Sequence, residues 1–413
     1  MSDSAKKAST KGAAATIAIV LVTSLFFVWG LAMNLVSSLN APIANYLELT
    51  TTQTSLMQVA YYGAYFVMAI PAGAIAKKFG YKGGVIAGLA LFVIGSIITV
   101  PATNAASFAL FLVSTFVVAA GATTLEANCN PYITKLGDEK HESMRLNLAQ
   151  SFNGVGSIVG PLIMAQILST TVAAGQPGFA EAKTAFLGST RGIYIVIAIV
   201  LAIMLAVFVF VKLPTPPNDV EEAAKGDALK KPYFKLGVVA EFFYVGIQTV
   251  GFSLFATYAT KVAGLEMSLA TGLVSALSLL FTIGRFGSTP LLAKKDPGKL
   301  LGIYMTGAAV CFFLVFLNLG VVSVAAFVVA YLFMSIGYPT IFSLSLRGMS
   351  GDETKTGSSI ITMSIVGGAI IPVVVSAIGD ACGLSVAMLV AVPCLAFCAW
   401  YGFAGSKIGF GEE

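Results

Sequence analysis

Residues 191–212 read RGIYIVIAIVLAIMLAVFVFVK, and residues 213–231 read LPTPPNDVEEAAKGDALKK. The first stretch contains about 20 consecutive uncharged residues, the length that an α-helix needs to cross the hydrocarbon core of a bilayer. The second is the longest polar stretch of the chain; it carries Pro214, Pro216 and Pro217 and lies near the midpoint of the 413 residues. Together they predict a membrane-spanning helix followed by a central linker.

The composition of the whole chain agrees with a membrane protein. Hydrophobic residues make up 57% and charged residues only 10%, whereas a soluble domain has about 25% charged residues. The composition therefore disfavours soluble enzymes, nucleic-acid-binding proteins and disordered proteins. A single histidine, His141, excludes a multi-histidine metal centre, and no nucleophile–base pair or metal-ligand set is concentrated in one place. The sequence thus predicts neither an enzyme nor a bound cofactor.

Apolar runs of spanning length recur along the chain and predict twelve transmembrane helices, an all-α membrane protein. The predicted spans are residues 14–39, 54–76, 83–101, 107–134, 146–170, 191–212, 236–260, 267–292, 299–317, 320–346, 357–380 and 384–405. With both termini in the cytoplasm, 21 of the 24 basic residues fall on the cytoplasmic side, including Arg285, which lies in span eight nearer the inside. Only Lys183, Arg191 and Lys261 fall outside. Retention of positive charge on the cytoplasmic side favours this orientation.

The spans divide into two halves. We predict a six-helix bundle at residues 1–213, a cytoplasmic linker at 214–231 and a second six-helix bundle at 232–413. Three features recur in the second half at offsets of 208 to 217 residues: Lys77-Lys78 matches Lys294-Lys295, Asn130-Pro131 matches Tyr338-Pro339, and Gly160-Pro161 matches Ile371-Pro372. Two parallel repeats with proline-interrupted helices are typical of the major facilitator fold, in which a midplane site faces either side in turn. Any single proline is equally consistent with an ordinary kink.

Glu126 is an acidic residue deep inside a predicted span. It precedes Lys135 by nine residues, which places it roughly 13 Å inside the cytoplasmic boundary at ~1.5 Å per residue. A charge in a membrane span is costly and indicates function. We therefore expect Glu126 to carry a coupling cation or proton, with a neutral structural Glu as the alternative. Glu241, near the cytoplasmic end of span seven, is expected to be solvated or to form a gate.

Neutral polar and aromatic residues occur in the spans at helical spacing. In span five, Gln150, Asn153 and Ser157 form one stripe. Amides and hydroxyls bond sugar hydroxyls, and aromatic rings cover the C–H faces of a sugar. A monosaccharide is therefore the predicted substrate, and helix–helix hydrogen bonding is the alternative role for each amide. The predicted sugar-binding residues are Gln150, Asn153, Asn130, Tyr338, Gln248, Tyr244, Trp29 and Gln58.

Several runs resemble the fucose–galactose–glucose/cation symporter family: FFVWG at 26–30, LEANCNPY at 125–132, RLNLAQSFN at 145–153 and YPTIFSL at 338–344. The resemblance extends over nearly all spans. It implies the major facilitator fold and places the family's span-four carboxylate on Glu126. It also implies sugar contacts at Gln150 and Asn153 in span five, Tyr338 in span ten, and Tyr244 and Gln248 in span seven.

Span one departs from the family pattern. The family usually carries an Asn-Asp pair, whereas this chain reads NLVSS at 34–38, so that Ser37 occupies the acidic position. Glu126 is then the remaining midplane carboxylate. A carboxylate beside hydroxyl and amide oxygens is also suited to a hard cation such as Na⁺. The predicted coupling residues are Glu126, Ser37, Ser38, Asn34 and Asn128, with Glu126 and Ser37 as the metal ligands if the ion is Na⁺.

We therefore predict a monomeric hexose–cation symporter of the bacterial inner membrane that works by alternating access. Its partners are a sugar such as glucose, galactose or fucose, the lipid bilayer and a co-transported H⁺ or Na⁺, with H⁺ slightly favoured. A drug or lipid exporter of the same fold is the main alternative, because fold alone does not decide function. A membrane sensor would need a signalling domain, and the sequence contains no segment long and polar enough to form one.

Overall fold

The computed structural model describes residues 3–167, 172, 175–216 and 227–411. In these ranges the chain consists of helices and short connections, without a β-strand. The residues form two compact units: the first contains Met1–Tyr132 and Val155–Thr215, and the second contains Ile133–Gly154 and Pro216–Glu413. The segment Ile133–Gly154 thus belongs to the second unit, although it lies within the predicted first bundle. The bundle boundaries proposed above stay a prediction.

The helices of the first sequence half are long, apart from the seven-residue helix Asn40–Tyr46. They are α1 (Asp3–Ser38), α2 (Asn40–Tyr46), α3 (Thr51–Asn104), α4 (Phe108–Lys135), α5 (Glu142–Ile167) and α6 (Phe179–Phe210).

The helices of the second half are shorter, because three of its spans are each built of two helices. They are α7 (Pro232–Lys261), α8 (Met267–Lys294), α9 (Pro297–Phe316), α10 (Val321–Met334), α11 (Gly337–Ser345), α12 (Gly351–Met363), α13 (Gly367–Cys382), α14 (Leu384–Met388) and α15 (Ala391–Phe403). A 3₁₀ turn, Ser364–Val366, joins α12 to α13.

The number of spans follows from two details of the first half. Ten helical segments in the described ranges are long and apolar enough to cross a membrane. One of them, Leu56–Asn104, contains two predicted spans that meet at Gly80, where φ is +70°. This left-handed conformation favours glycine and turns the chain between the two arms of α3. The polar helix α5 is not among the ten, and counting it and both arms of α3 gives twelve.

Two prolines that were expected to interrupt their spans behave differently. The expectation for Pro131 is wrong, because α4 continues through it from Phe108 to Lys135. Pro339 does accompany a break, since α10 ends at Met334 and α11 begins at Gly337. A proline removes only one backbone donor, so the surroundings decide whether the helix breaks.

Glycines allow close helix contacts within each unit. In the first unit, a Cβ on Gly95 of α3 would lie 2.6 Å from the backbone nitrogen of Val118 in α4. A Cβ on Gly156 of α5 would lie 2.5 Å from the backbone nitrogen of Leu31 in α1. Small residues at helix crossings are the usual means of packing in membranes, because lipid provides little hydrophobic drive for helix association.

Candidate functional site

The span-four carboxylate lies in the first unit. Glu126 is partly buried in α4, and Asn130, one turn later, is completely buried. Tyr61 of α3 and Cys129 of α4 both lie close enough to Glu126 to be affected by its charge. The carboxylate therefore lies beside α3, within the first unit.

The polar residues of α1 bond to one another and to α5. The Asn34 amide nitrogen donates to the carbonyl of Gly30 at 2.8 Å and to the Ser157 hydroxyl at 3.0 Å. The Ser38 hydroxyl donates to the Asn34 carbonyl at 2.7 Å. The predicted coupling residue Ser37 has its backbone in α1, but its side chain lies outside the described part of the structure. Asn34 and Ser38 thus form one hydrogen-bonded group at the end of α1.

Asn128 occupies a packing position. Its side chain is completely buried and donates to the Thr124 carbonyl at 2.8 Å, and its amide fills the space above Gly84 of α3. A Cβ at Gly84 would overlap this amide. The contact indicates that Asn128 joins α3 to α4.

Trp29 and Gln58, predicted to bind sugar, have contrasting surroundings. Trp29 is only 3% exposed and packs on Phe26 with ring centroids 5.1 Å apart. Gln58 is an exposed residue of α3. Gln58 therefore lies on the surface of the described structure, whereas Trp29 has little free surface.

The amides of α5 fall in the second unit and surround a residue whose role sequence analysis missed. Gln150 is 4% exposed, and Asn153 is partly buried. The guanidinium of Arg285 in α8 is also buried; its Nη1 donates to the Gln150 carbonyl at 2.8 Å and its Nε to the Ser335 carbonyl at 3.0 Å. Arg285 had been assigned only to the cytoplasmic side. The available signal was an arginine within an apolar span.

Asn147 completes the connection between α5 and α8. Its side chain is fully buried, and its amide nitrogen donates to the Arg285 carbonyl at 2.7 Å and to the Thr289 hydroxyl at 3.0 Å. Asn147 thus donates hydrogen bonds from α5 to α8, and Arg285 donates one from α8 to α5. Together these bonds hold the first half of α5 to α8.

The break between α10 and α11 explains the position of Tyr244. Its hydroxyl donates to the Met334 carbonyl at 2.6 Å, and its ring lies directly against Gly337. Tyr244 is completely buried, so it supports the break. Tyr338, just after the break, is 7% exposed and stacks on Phe342 with centroids 6.0 Å apart.

Gln248 lies beside an aromatic cluster that the sequence analysis did not single out. The carbonyl of Gln248 accepts a hydrogen bond of 2.6 Å from the Tyr331 hydroxyl, and its side chain is partly buried. Phe252 packs on Tyr331 at 4.7 Å and on Phe281 at 6.3 Å between ring centroids. Tyr331 is completely buried and Phe281 is 6% exposed, so Phe252, which is partly buried, is the ring of this cluster that retains free surface.

Of the two expectations for Glu241, a solvated or a gate-forming carboxylate, the first is wrong and the second stays a prediction. Its side chain is completely buried in α7. One turn earlier, Gly237 lies against the hydroxyls of Ser345 and Tyr401, so this face of α7 is covered by α11 and α15. Helices packed against it keep the carboxylate from water.

The connection between α4 and α5 carries a charged network. The ammonium of Lys135 contacts Glu142 at 2.8 Å, and both side chains are buried. Arg145 donates to the carbonyls of Ile133 and Thr134 and contacts Asp138 at 3.0 Å. Hydrogen bonds from the His141 ring and from Arg145 hold the pKa of Asp138 below its ordinary value. The network fixes the start of α5.

The described residues contain no group of three or more His, Cys, Asp or Glu side chains able to hold a metal ion. The first unit contains a partly buried carboxylate, Glu126, together with amides and hydroxyls, and the second unit contains amides and aromatic rings. A carboxylate exchanges a proton or binds a single cation, and amides bond the hydroxyls of a neutral polyol.

Comparison with known families supplies the assignment. The family model described as Major Facilitator Superfamily matches residues 20–372. The chain belongs to this superfamily. A "Glucose/galactose transporter" of Brucella abortus biovar 1 (strain 9-941) is 34% identical over 395 residues, 94% of each chain. The "L-fucose-proton symporter" of Escherichia coli (strain K12) is 33% identical over 94% of this chain and 92% of its own.

Solved structures agree. A crystal structure of the E. coli fucose:proton symporter matches with a TM-score of 0.86 at 32% identity, covering 94% of this chain and 98% of that chain. The predicted all-α, twelve-helix major facilitator fold and the resemblance to sugar symporters are confirmed. This Major Facilitator Superfamily member is a multi-pass membrane transporter, as predicted, and not an enzyme.

Proposed function

We propose that the chain imports a hexose together with a cation, with H⁺ favoured. The observation that carries the proposal lies in the second unit, where the amide-bearing first half of α5 is bonded to α8 at Arg285, beside Phe281, Phe252 and Tyr331. Amides next to aromatic rings are suited to a sugar. The names of the relatives support the same substrate class, a hexose or a deoxyhexose.

Glu126 is the proposed coupling residue. It is an ionisable group within a span, beside Tyr61 and Cys129. The relatives named as proton symporters favour H⁺. Asn34 and Ser38 offer oxygens for Na⁺, the alternative ion. We further propose a monomer of the bacterial inner membrane with both termini in the cytoplasm and without a bound cofactor.

Uptake into proteoliposomes tests the proposal. Purified protein is reconstituted, and accumulation of labelled D-glucose, D-galactose and L-fucose is followed with a proton gradient or a sodium gradient imposed separately. We expect accumulation of at least one sugar under the proton gradient. Absence of uptake and of exchange for all three sugars would reject the proposed substrate class.

Replacing the α5 amides should weaken sugar binding. We expect Gln150→Ala or Asn153→Ala to reduce hexose affinity by roughly 1–3 kcal/mol, because a sugar hydroxyl loses its partner. Isothermal titration measures this, with Gln176→Ala as the control, since Gln176 lies in an exposed turn. Unchanged affinity in both α5 variants would show that the stripe only joins helices.

A separate experiment distinguishes H⁺ from Na⁺ as the coupling ion. If H⁺ is the driver, sugar affinity at fixed pH should stay the same when sodium is replaced by choline. If Na⁺ is the driver, sodium and sugar should each strengthen binding of the other by the same factor, because linkage is reciprocal. Sugar titrations in the two salts decide this, and a marked loss of affinity in choline would contradict proton coupling. In that case Ser38→Ala should weaken the sodium dependence.

A further inference from the structure

We propose that Arg285 is the positioning residue of the sugar site, setting the spacing between Gln150 and Tyr338 and thereby deciding which hexose epimer is preferred. The inference rests on the proposed function and deepens it. Nothing in the sequence-based assignment gives Arg285 this role. It follows from the two carbonyls that its guanidinium bonds.

The first of the two carbonyls, that of Ser335, needs a hydrogen-bond donor from outside its own helix. In an α-helix the carbonyl of residue 335 would accept from the backbone nitrogen of residue 339. Residue 339 is proline and has no N–H. The Ser335 carbonyl is therefore left open at the end of α10, and the Nε of Arg285 supplies the bond at 3.0 Å. A buried carbonyl without a donor is costly, so the bond stabilises the break.

A second side chain stabilises the same break. The Met334 carbonyl accepts from the Tyr244 hydroxyl at 2.6 Å. Two neighbouring carbonyls are thus fixed by donors from α7 and α8. Tyr338 lies four residues after Met334 and three residues after Ser335. The position of its ring therefore depends on both hydrogen bonds.

The second carbonyl belongs to Gln150. The Nη1 of Arg285 donates to it at 2.8 Å. The Asn147 amide donates in return to the Arg285 carbonyl at 2.7 Å. The backbone of α5 is thereby fixed to α8 at the residue whose side chain is proposed to bind sugar.

The guanidinium itself has little freedom. Arg285 is 4% exposed, and its Cζ lies 4.4 Å from the centroid of the Phe281 ring. A stacked, planar guanidinium presents its donors in fixed directions, whereas a lysine ammonium is a point charge that cannot reproduce this fork. One rigid group therefore connects the backbone of Gln150 to the break before Tyr338.

The consequence concerns selectivity. Hexose epimers differ in the direction of a single hydroxyl, and a site that bonds this hydroxyl rejects the epimer that leaves the bond unmade. A change in the spacing of Gln150 and Tyr338 alters which hydroxyl is bonded. If Arg285 only held the fold together, its replacement would lower the affinity for all sugars by the same factor.

The test compares Arg285→Lys with Arg347→Lys. Arg347 is a matched control: it lies in the same unit, stacks on Phe410 at 3.9 Å and bonds the Ser406 carbonyl at 3.1 Å, but it contacts neither proposed sugar residue. The Kd values of D-glucose, D-galactose and L-fucose are measured by titration of the purified proteins. We expect Arg285→Lys to change the ratio of the Kd values of the two epimers, glucose and galactose, by about tenfold, the effect of one hydrogen bond to a charged group. Arg347→Lys should leave the ratio unchanged.

Phe281→Leu is the second variant, which keeps all hydrogen-bonding groups but removes the ring under the guanidinium. Because the Phe281 ring also adjoins the proposed sugar site, the readout is the ratio of the Kd values and not the loss of affinity itself. The variant should change the ratio in the same direction by a smaller factor, and it decides the matter if Arg285→Lys does not fold. If the variants lose affinity for all three sugars equally, or if the ratio of the glucose and galactose Kd values does not change, the proposed role of Arg285 is overturned while the sugar proposal stands. A wild-type protein that binds none of the three sugars would instead reject the proposed function.

Discussion

Glu126→Gln is expected to abolish accumulation of sugar against its gradient, while sugar binding and exchange across the membrane persist in part. The amide retains hydrogen-bonding capacity but neither takes up a proton nor balances the charge of a cation. Sugar movement is then no longer linked to the ion gradient. In proteoliposomes with an imposed proton gradient, accumulation should fall to the equilibrium level, and counterflow of labelled against unlabelled sugar should continue.

Glu266→Gln is the matched control, because Glu266 is an exposed residue preceding α8. It should accumulate sugar as the unmodified protein does. Full gradient-driven accumulation by Glu126→Gln would show that the coupling ion is carried by another group. Glu241, the buried carboxylate of α7, would then be the next residue to replace.

The helices of this protein could be predicted from the sequence because each span is a continuous apolar run of sufficient length. The positions at which helices break within a span were harder to predict from the sequence. Pro131 and Pro339 look alike in the sequence, yet only the second accompanies a break. The difference depends on side chains distant in sequence, since Arg285 and Tyr244 donate to the carbonyls at the α10–α11 break.

The candidate site was predictable in its residue types and less so in its arrangement. Helical spacing identified the stripe at Gln150 and Asn153, and burial cost singled out Glu126. The hydrogen bonds of Asn147 to α8, and the grouping of Ile133–Gly154 with the second unit, depend on contacts that no periodicity reveals. Arg285 was visible as a charge in a span, but the positive-inside pattern offered a simpler explanation for it.

The second large effect concerns the contact between α7 and α13. A Cβ on Gly367 would overlap the carbonyl oxygen of Phe242 and lie 2.9 Å from its carbonyl carbon. These are backbone atoms, so no side-chain rotation relieves the overlap. We expect Gly367→Ala to destabilise the folded protein by about 3 kcal/mol, at the upper end of the usual cost of overpacking. Thermal unfolding in detergent, followed by circular dichroism, measures the change.

Gly287→Ala in α8 provides the comparison, because a Cβ there meets no atom within 4 Å. Both substitutions add one methyl group to a helical glycine, and the intrinsic helix preference of alanine favours rather than disfavours each of them. Gly287→Ala should therefore match or exceed the unmodified protein in stability, and only Gly367→Ala should lose it. If the two variants unfold at the same temperature, α7 and α13 do not approach as closely as the Phe242–Gly367 contact requires.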